Sequence, residues 1–146
     1  MYPNPACLIN IILAFLALGL YIIGSYRFYK NQKGYLLILG LAIAIDLITA
    51  LLASLRITPT TQLPGTETVP WYSLLFNVHI TLSTIGFVGF IILFLYLTIV
   101  RDERRSPSLH RWQFKILLPV WVIGEGIALT NALAKYFFQV RIFELL

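Results

Sequence analysis

Two carboxylic acids and two histidines are the residues with the clearest capacity for chemistry, because they lie within or beside long apolar runs. Asp46 is the single charged residue of one run, and Glu125 is the single acid of another. An ionisable group inside a membrane is costly, so each such group is a functional hypothesis by default. Buried carboxyl groups can relay protons or bond neighbouring helices, and a neutral imidazole, as at His79 or His110, is a good ligand for haem iron or another macrocycle metal.

Asp46 and Glu125 occupy similar depths, about eleven and about nine residues from the same end of their runs, or roughly 14 to 17 Å along a helix. No Lys or Arg shares that depth. Two interpretations stay open. The acids form a proton relay or an interhelical pair at the edge of a cofactor, or they are neutral structural acids bonded to the backbone or to polar neighbours, which are Thr49, Thr130 and Asn131.

The third apolar run has the densest polar pattern, and its residues divide between two adjacent faces of a helix. One face, at spacings of four and three residues, has Asn77, Thr81 and Thr84. The other has His79, Ser83 and Gly86. Small residues let a neighbouring helix or a flat macrocycle approach closely. His79 is therefore a candidate cofactor and metal ligand, and the alternative is a histidine hydrogen-bonded between helices.

A second histidine, His110, lies just ahead of the fourth run. Taken alone it is expected to be a solvated histidine at the level of the lipid headgroups, and the alternative is a ligand. Pro119 lies a few residues inside the run. Proline removes a backbone donor, so we expect a bend there and a freed carbonyl that needs a partner.

Four apolar runs must position these residues, and each is long enough for a helix across a hydrocarbon core of about 30 Å. The runs cover about residues 6–26, 35–55, 71–100 and 116–138. They are too long and too uniformly apolar for barrel strands. The sequence therefore predicts an all-α, polytopic membrane protein with one four-helix transmembrane domain over residues 1–146.

The basic residues predict the orientation of this bundle. Eight Lys and Arg residues lie between the first and second runs or between the third and fourth, namely Arg27, Lys30, Lys33, Arg101, Arg104, Arg105, Arg111 and Lys115. The opposite side has three, which are Arg56, Lys135 and Arg141. The positive-inside rule then places both termini outside and the two basic loops in the cytoplasm. The net charge of +5 is thus explained by the membrane orientation and by contact with the lipid bilayer, and no nucleic-acid partner is expected.

Composition excludes several functional classes. Charged residues make up 12% of the chain, whereas a soluble domain has about 25%, so a soluble enzyme is excluded. The single cysteine, Cys7, excludes a disulfide scaffold. The chain has no phosphate-binding glycine loop, no HExxH and no CxxC motif. We therefore expect no enzymatic turnover from this chain.

Three segments carry a resemblance to a known family: the loop LPGTETVPWY, the N-x-H-I start of the third run at Asn77, and the run HRWQFKILLPVW. Over about residues 31–138 the chain resembles a bacterial four-helix membrane family of unknown function, some of whose members mature haem-copper oxidases. The last run fits a family-like H-R-x(3)-[KR]-x(3)-P-x-W pattern that begins at His110.

The resemblance implies two-histidine sites, one at each membrane face, with His110 inside and His79 outside. The family's two further histidines, one before the second run and one at its outer end, are absent here. YKNQKGY precedes that run, and Arg56 stands at its outer end. A five-coordinate metal needs one axial histidine, so His79 stays a candidate ligand for haem or another tetrapyrrole, with Asn77 beside it and Arg56 as a partner for a propionate.

Three functional hypotheses follow. The preferred one is an accessory or assembly component of a respiratory or other electron-transfer complex in the bacterial inner membrane or membranes derived from it. The second is a cofactor-binding electron-transfer subunit with His79 as axial ligand and Asp46 and Glu125 as a proton or polar network. The third is a purely structural subunit of a larger membrane complex.

Overall fold

The computed structural model describes residues 5–54, 74–100 and 106–138, and every regular element in these ranges is a helix. The helices are α1 (Pro5–Tyr29), α2 (Tyr35–Ser54), α3 (Leu74–Ile99), α4 (Pro107–Trp112) and α5 (Leu118–Phe138). A π-helical turn, Gln113–Leu117, joins α4 to α5, so that one helical stretch runs from Pro107 to Phe138. The prediction of an all-helical chain with four helices long and apolar enough to cross a membrane is confirmed.

The fourth helical stretch begins earlier than the hydropathy pattern indicates, at Pro107 rather than near residue 116. Arg111 and Lys115 end the apolar run at the sequence level, but both side chains are exposed and both residue types favour helices. The buried face of the helix continues beneath them through His110 and Gln113. Hydropathy therefore marks where a membrane core would begin, and it does not mark where the helix begins.

A tight turn over residues 30–34 connects α1 to α2. Asn31 adopts φ 53° and Gly34 adopts φ 85°, the left-handed conformation that commonly ends helices. The Asn31 and Gln32 amides donate to carbonyls of the last turn of α1, at 3.0 and 2.8 Å. The chain thus reverses within five residues, and α2 packs antiparallel against α1.

The bundle consists of two antiparallel hairpins. The helix α1 packs mainly on α2, and α3 packs mainly on α5. The hairpins meet chiefly through α1 against α5, with a smaller contact between α2 and α3. Successive helices are therefore neighbours in an up-down-up-down arrangement.

Close approach between α3 and α5 depends on two glycines. A Cβ built on Gly124 would lie 2.5 Å from the backbone nitrogen of Ser83. A Cβ on Gly86 would lie 2.4 Å from Cβ of Trp121. Both distances are shorter than a carbon atom tolerates, so these two positions accept hydrogen alone without movement of a helix. Small residues at helix interfaces of this kind are typical of membrane bundles.

The packed core lies toward the end of the bundle that contains the turn at residues 30–34. Its buried side chains include Phe28 and Leu39 near that turn, and Phe90, Leu97 and Trp121 from the other hairpin. At the opposite end Ile11 and Ala17 of α1 are buried, whereas the described side chains of 43–52, 74–85 and 125–138 include none that is fully buried. The bundle is therefore more tightly packed at the end with the turn than at the other.

Gly124→Ala is expected to lower the free energy of unfolding by about 2 kcal/mol, because the added methyl group meets the backbone of α3, which cannot rotate away. Gly126→Ala is the matched control, since nothing lies within 4 Å of a Cβ at Gly126. That variant should be neutral or slightly stabilising, because alanine favours helix over glycine. Denaturation by titrated SDS in micelles measures both variants. Equal stability of the two would contradict the packing described for α3 and α5.

Candidate functional site

Asp46 lies at a junction of three helices. Its Oδ2 accepts hydrogen bonds from Tyr21 Oη of α1 at 3.3 Å and from Trp121 Nε1 of α5 at 3.1 Å. The carboxyl group itself belongs to α2. A phenol and an indole N–H buried in an apolar interior need acceptors. One carboxyl oxygen therefore satisfies two buried donors and connects both hairpins.

Aromatic rings enclose this junction and bring in the fourth helix. The Tyr21 ring lies 4.5 Å from that of Phe90 and 4.2 Å from that of Trp121, centroid to centroid. Phe90 belongs to α3 and meets Trp121 edge-on at 6.5 Å. All three side chains are at most 1% exposed. The Asp46 junction is thus a polar contact with an apolar aromatic wall.

Glu125 adds a second acid to the same region. It is half-buried, and its carboxyl group is close enough to Asp46 and to Tyr21 to interact electrostatically with both. The structure therefore brings the two acids of the apolar runs together. Such a pair can share or pass a proton, and it can equally serve as a structural contact, so both interpretations from the sequence stay open at this point.

The expectation that Thr49 and Thr130 bond to the two acids is wrong. Thr49 Oγ1 donates to the Ile45 carbonyl at 2.9 Å, and Thr130 Oγ1 donates to the Gly126 carbonyl at 2.7 Å. Both are bonds to the preceding turn of the same helix, which a threonine reaches without any cost in tertiary packing. Asn131 is half-buried on α5, on the loosely packed side of Glu125.

His79 bonds α3 to α5. Its Nδ1 lies 2.9 Å from the Gly124 carbonyl oxygen and 3.0 Å from Ser83 Oγ. A carbonyl accepts only, so Nδ1 must carry the proton that bonds Gly124. The Ser83 hydroxyl then accepts a second branch of the same N–H. In this tautomer of the neutral ring the lone pair is on Nε2. His79 Nδ1 thus makes a hydrogen bond between helices, which is the alternative to ligand binding that the sequence left open.

The small-residue face beside His79 is occupied by α5. Gly124 lies against Ser83, and Trp121 lies against Gly86, at distances that leave no space for a further carbon atom. A flat macrocycle stacked between these small residues does not fit there. The sequence allowed either a neighbouring helix or a flat macrocycle on this face, and a neighbouring helix occupies it.

His110 is buried, so the expectation of a solvated histidine at headgroup level is wrong. Its ring meets Phe28 edge-on, with centroids 4.3 Å apart, and the residue is 6% exposed. The reason is the early start of the fourth helical stretch, whose inward face already includes His110. The residue next to it, Arg111, takes the exposed position.

A second buried polar contact lies one turn further along, where Gln113 Nε2 donates to Ser25 Oγ of α1. Both residues are 0% exposed. Gln113 Oε1 has no hydrogen-bond partner within the part of the chain that the structure describes. Buried acceptors of this kind are commonly satisfied by an internal water molecule. The contact ties α1 to the fourth helical stretch below the Asp46 junction.

Gln113 also begins the π-helical turn that precedes Pro119. The Leu118 amide donates to the Gln113 carbonyl five residues earlier, which widens the helix by one residue. The proline ring cannot sit in a regular α-helix without meeting the carbonyl four residues before it. A π turn thus lies immediately ahead of Pro119, close to the position where the sequence predicts a bend, and π turns are often found at functional positions.

The remaining predicted ligands do not converge on one site. Asn77 is exposed on α3, and Arg56 lies outside the described residues. His79 contacts α5 at Gly124, whereas His110 is fourteen residues earlier on the same helical stretch, or about 21 Å along its axis. Among the residues that were placed, no group of three or more His, Cys, Asp or Glu side chains could hold a metal ion.

Sequence reasoning missed Tyr21, Trp121, Ser25 and Gln113. A phenol or an indole deep in an apolar run needs an acceptor, and Asp46 is one of the few available, so the first two could have been found. The Ser25–Gln113 contact had no comparable signal, because Gln113 lies outside the apolar run.

Comparisons with known proteins return no match to this chain among protein-family models, curated proteins or solved structures.

Asp46→Leu is expected to lower the free energy of unfolding by about 2 to 3 kcal/mol, since it leaves the Tyr21 hydroxyl and the Trp121 N–H buried without an acceptor. Asp46→Asn keeps an acceptor oxygen and should cost less than about 1 kcal/mol. Thr49→Val, one turn along α2, removes only a bond to its own helix and controls for substitution in this helix. SDS titration measures all three. If the leucine and asparagine variants were equally stable, the junction would not depend on the acceptor.

Proposed function

We propose that this chain is a multi-pass membrane protein that serves as an accessory or assembly component of a larger membrane complex and catalyses no reaction of its own. Its four long apolar helices support membrane insertion. The exposed side chains of α2 in its span are uniformly apolar, as contact with lipid requires, for example Leu37, Leu41 and Leu51. The distribution of basic residues supports cytoplasmic loops and external termini.

The observation that carries the accessory role is the unequal packing of the bundle. At the tightly packed end, hydrogen bonds at Asp46 and at Ser25 join the two hairpins. At the other end, His79, Glu125 and Asn131 are half-buried. Polar groups at membrane depth are stable when protein surrounds them. A partner subunit that covers this end would supply that surrounding protein.

The assignment to a redox complex rests on the sequence motif that begins at His110. Two of its five defining residues face inward in the structure. His110 packs against Phe28, and Trp121 lies at the Asp46 junction. Arg111 and Lys115 are exposed and available to a partner or to anionic headgroups. We therefore place the proposed contact with a respiratory or electron-transfer complex of the bacterial inner membrane partly on this basic surface.

A cofactor-binding role for His79 is the second candidate, and one observation favours it. Histidines that bind metals usually donate their other ring nitrogen to a carbonyl, and His79 Nδ1 bonds the Gly124 carbonyl in this way. Against it, helix α5 fills the small-residue face beside that ring. The accessory role is therefore the better supported of the two.

The membrane topology is tested with reporter fusions to the full chain. We expect alkaline phosphatase to be active when it is fused after residue 146, because that terminus is external by the positive-inside rule. A green fluorescent protein inserted after Lys33 should fluoresce from the cytoplasmic side. The reverse pattern would contradict the orientation, and recovery of the chain in the soluble fraction would contradict membrane insertion.

The accessory role is tested by gentle solubilisation of the tagged chain followed by native electrophoresis and mass spectrometry. We expect the wild-type chain to co-migrate with subunits of a haem-containing complex. Removal of both exposed basic side chains, as Arg111→Gln with Lys115→Gln, should weaken that association severalfold. The matched control is Arg27→Gln with Lys30→Gln at the turn between α1 and α2.

An absorbance spectrum of the purified chain separates the two candidates. A Soret band that stays with the isolated chain and disappears in His79→Ala would replace the accessory role with the cofactor-binding one. Migration of the chain alone, together with normal levels of haem complexes in a deletion strain, would overturn both.

A further inference from the structure

One face of α3 exposes polar side chains that make no hydrogen bond. Asn77, Thr81 and Thr84 are exposed, and none makes a side-chain hydrogen bond within the described residues. Two other exposed threonines behave differently. Thr98 and Thr130 each donate to a carbonyl one turn earlier in their own helix, at 2.7 Å. The three side chains on α3 therefore differ from Thr98 and Thr130, whose hydroxyl groups are satisfied within their own helix.

These groups lie inside the proposed membrane span. At about 1.5 Å per residue, Thr81 and Thr84 are roughly 10 and 15 Å from the start of α3 at Leu74, and Asn77 lies nearer the surface. Lipid tails offer no hydrogen bonds, so an amide or hydroxyl that faces them is destabilising unless a protein partner meets it. This inference rests on the membrane insertion proposed above.

The spacing on this face matches a helix-pairing seam. Positions 77, 81, 84, 88 and 95 follow alternating steps of four and three residues, with one member of the series left out between 88 and 95. The contact positions of a left-handed helix pair follow the same steps. All five side chains are exposed. Their types, one Asn, two Thr, Val and Leu, include no charge, so nothing on the seam would repel an identical surface. The seam is thus suited to a close helix partner.

We propose that the partner is α3 of a second copy of this chain, which forms a twofold-symmetric dimer. Two copies inserted with the same topology present α3 in parallel, so each seam residue meets its own counterpart at the same depth. An amide and a hydroxyl both donate and accept, and therefore each bonds its own copy. Asn77 pairs with Asn77 of the second copy, and Thr81 and Thr84 pair likewise. A seam that is self-complementary residue by residue fits a second copy better than an unrelated helix.

Disulfide crosslinking in native membranes tests the dimer. In a full-length Cys7→Ser background, single cysteines replace Thr81, Thr84 or Val88 on the seam. Ile85→Cys is the control, because Ile85 is 54% exposed but points about a quarter turn away from the seam. We expect at least fivefold more dimer at the three seam positions than at residue 85. Equal crosslinking at residue 85, or products that contain a different protein, would overturn the proposal.

A second measurement removes the polar contacts and keeps the fold. Asn77→Ala, Thr81→Ala and Thr84→Ala combined should weaken dimerisation in vesicles about tenfold, measured by energy transfer between labelled copies. Thr98→Ala is the control and should leave it unchanged. Absence of the chain from membranes would overturn both the membrane assignment and the dimer. A monomer in membranes would overturn the dimer and leave the membrane assignment intact. An unaltered dimer in the triple variant would overturn the role of the polar seam.

Discussion

One oxygen atom of Asp46 connects most of this structure. It accepts from Tyr21 of α1 and from Trp121 of α5, while α2 supplies the carboxyl group and α3 supplies Phe90 against both rings. In an apolar bundle the hydrophobic effect between helices is weak once lipid replaces water, so directional bonds and close packing must select one arrangement. The Asp46 junction selects which faces of the two hairpins meet. The glycines of α3 and α5 then determine how closely one pair of helices packs.

The same junction marks a boundary in the molecule. Between it and the turn at residues 30–34 the helices form a continuous buried core, and beyond it only Ile11 and Ala17 of α1 are buried among the described side chains of α1 to α3. Glu125, His79 and the polar residues of the α3 seam, which are Asn77, Thr81 and Thr84, all lie at or beyond the boundary. The protein thus combines an end that keeps the bundle intact with an end that exposes polar groups of α3. That division is the basis of the proposed accessory role.

Much of the fold could be predicted from the sequence, because four apolar runs of membrane length define helices and their order almost without tertiary information. The pairing of Asp46 with Tyr21 and Trp121 had one signal in the sequence, the need of a buried phenol and indole for an acceptor. The rotation of each helix about its own axis, which brings the three together, depends on packing that no single run specifies. The low contrast between helix faces explains this, because apolar residues predominate on every side of the long helices. His110 was misjudged for a related reason. Hydropathy locates the membrane boundary, whereas the inward face of a helix continues beyond it.

A double-mutant cycle between Asp46 and Trp121 tests the central role of the junction most directly. Asp46→Leu and Trp121→Phe are made singly and together, and the free energy of unfolding of each variant is measured by SDS titration against wild type. If the two side chains stabilise the bundle through their shared hydrogen bond, the double variant loses less than the sum of the single losses, by about 1 kcal/mol or more. Losses that add to within about 0.3 kcal/mol would contradict the account.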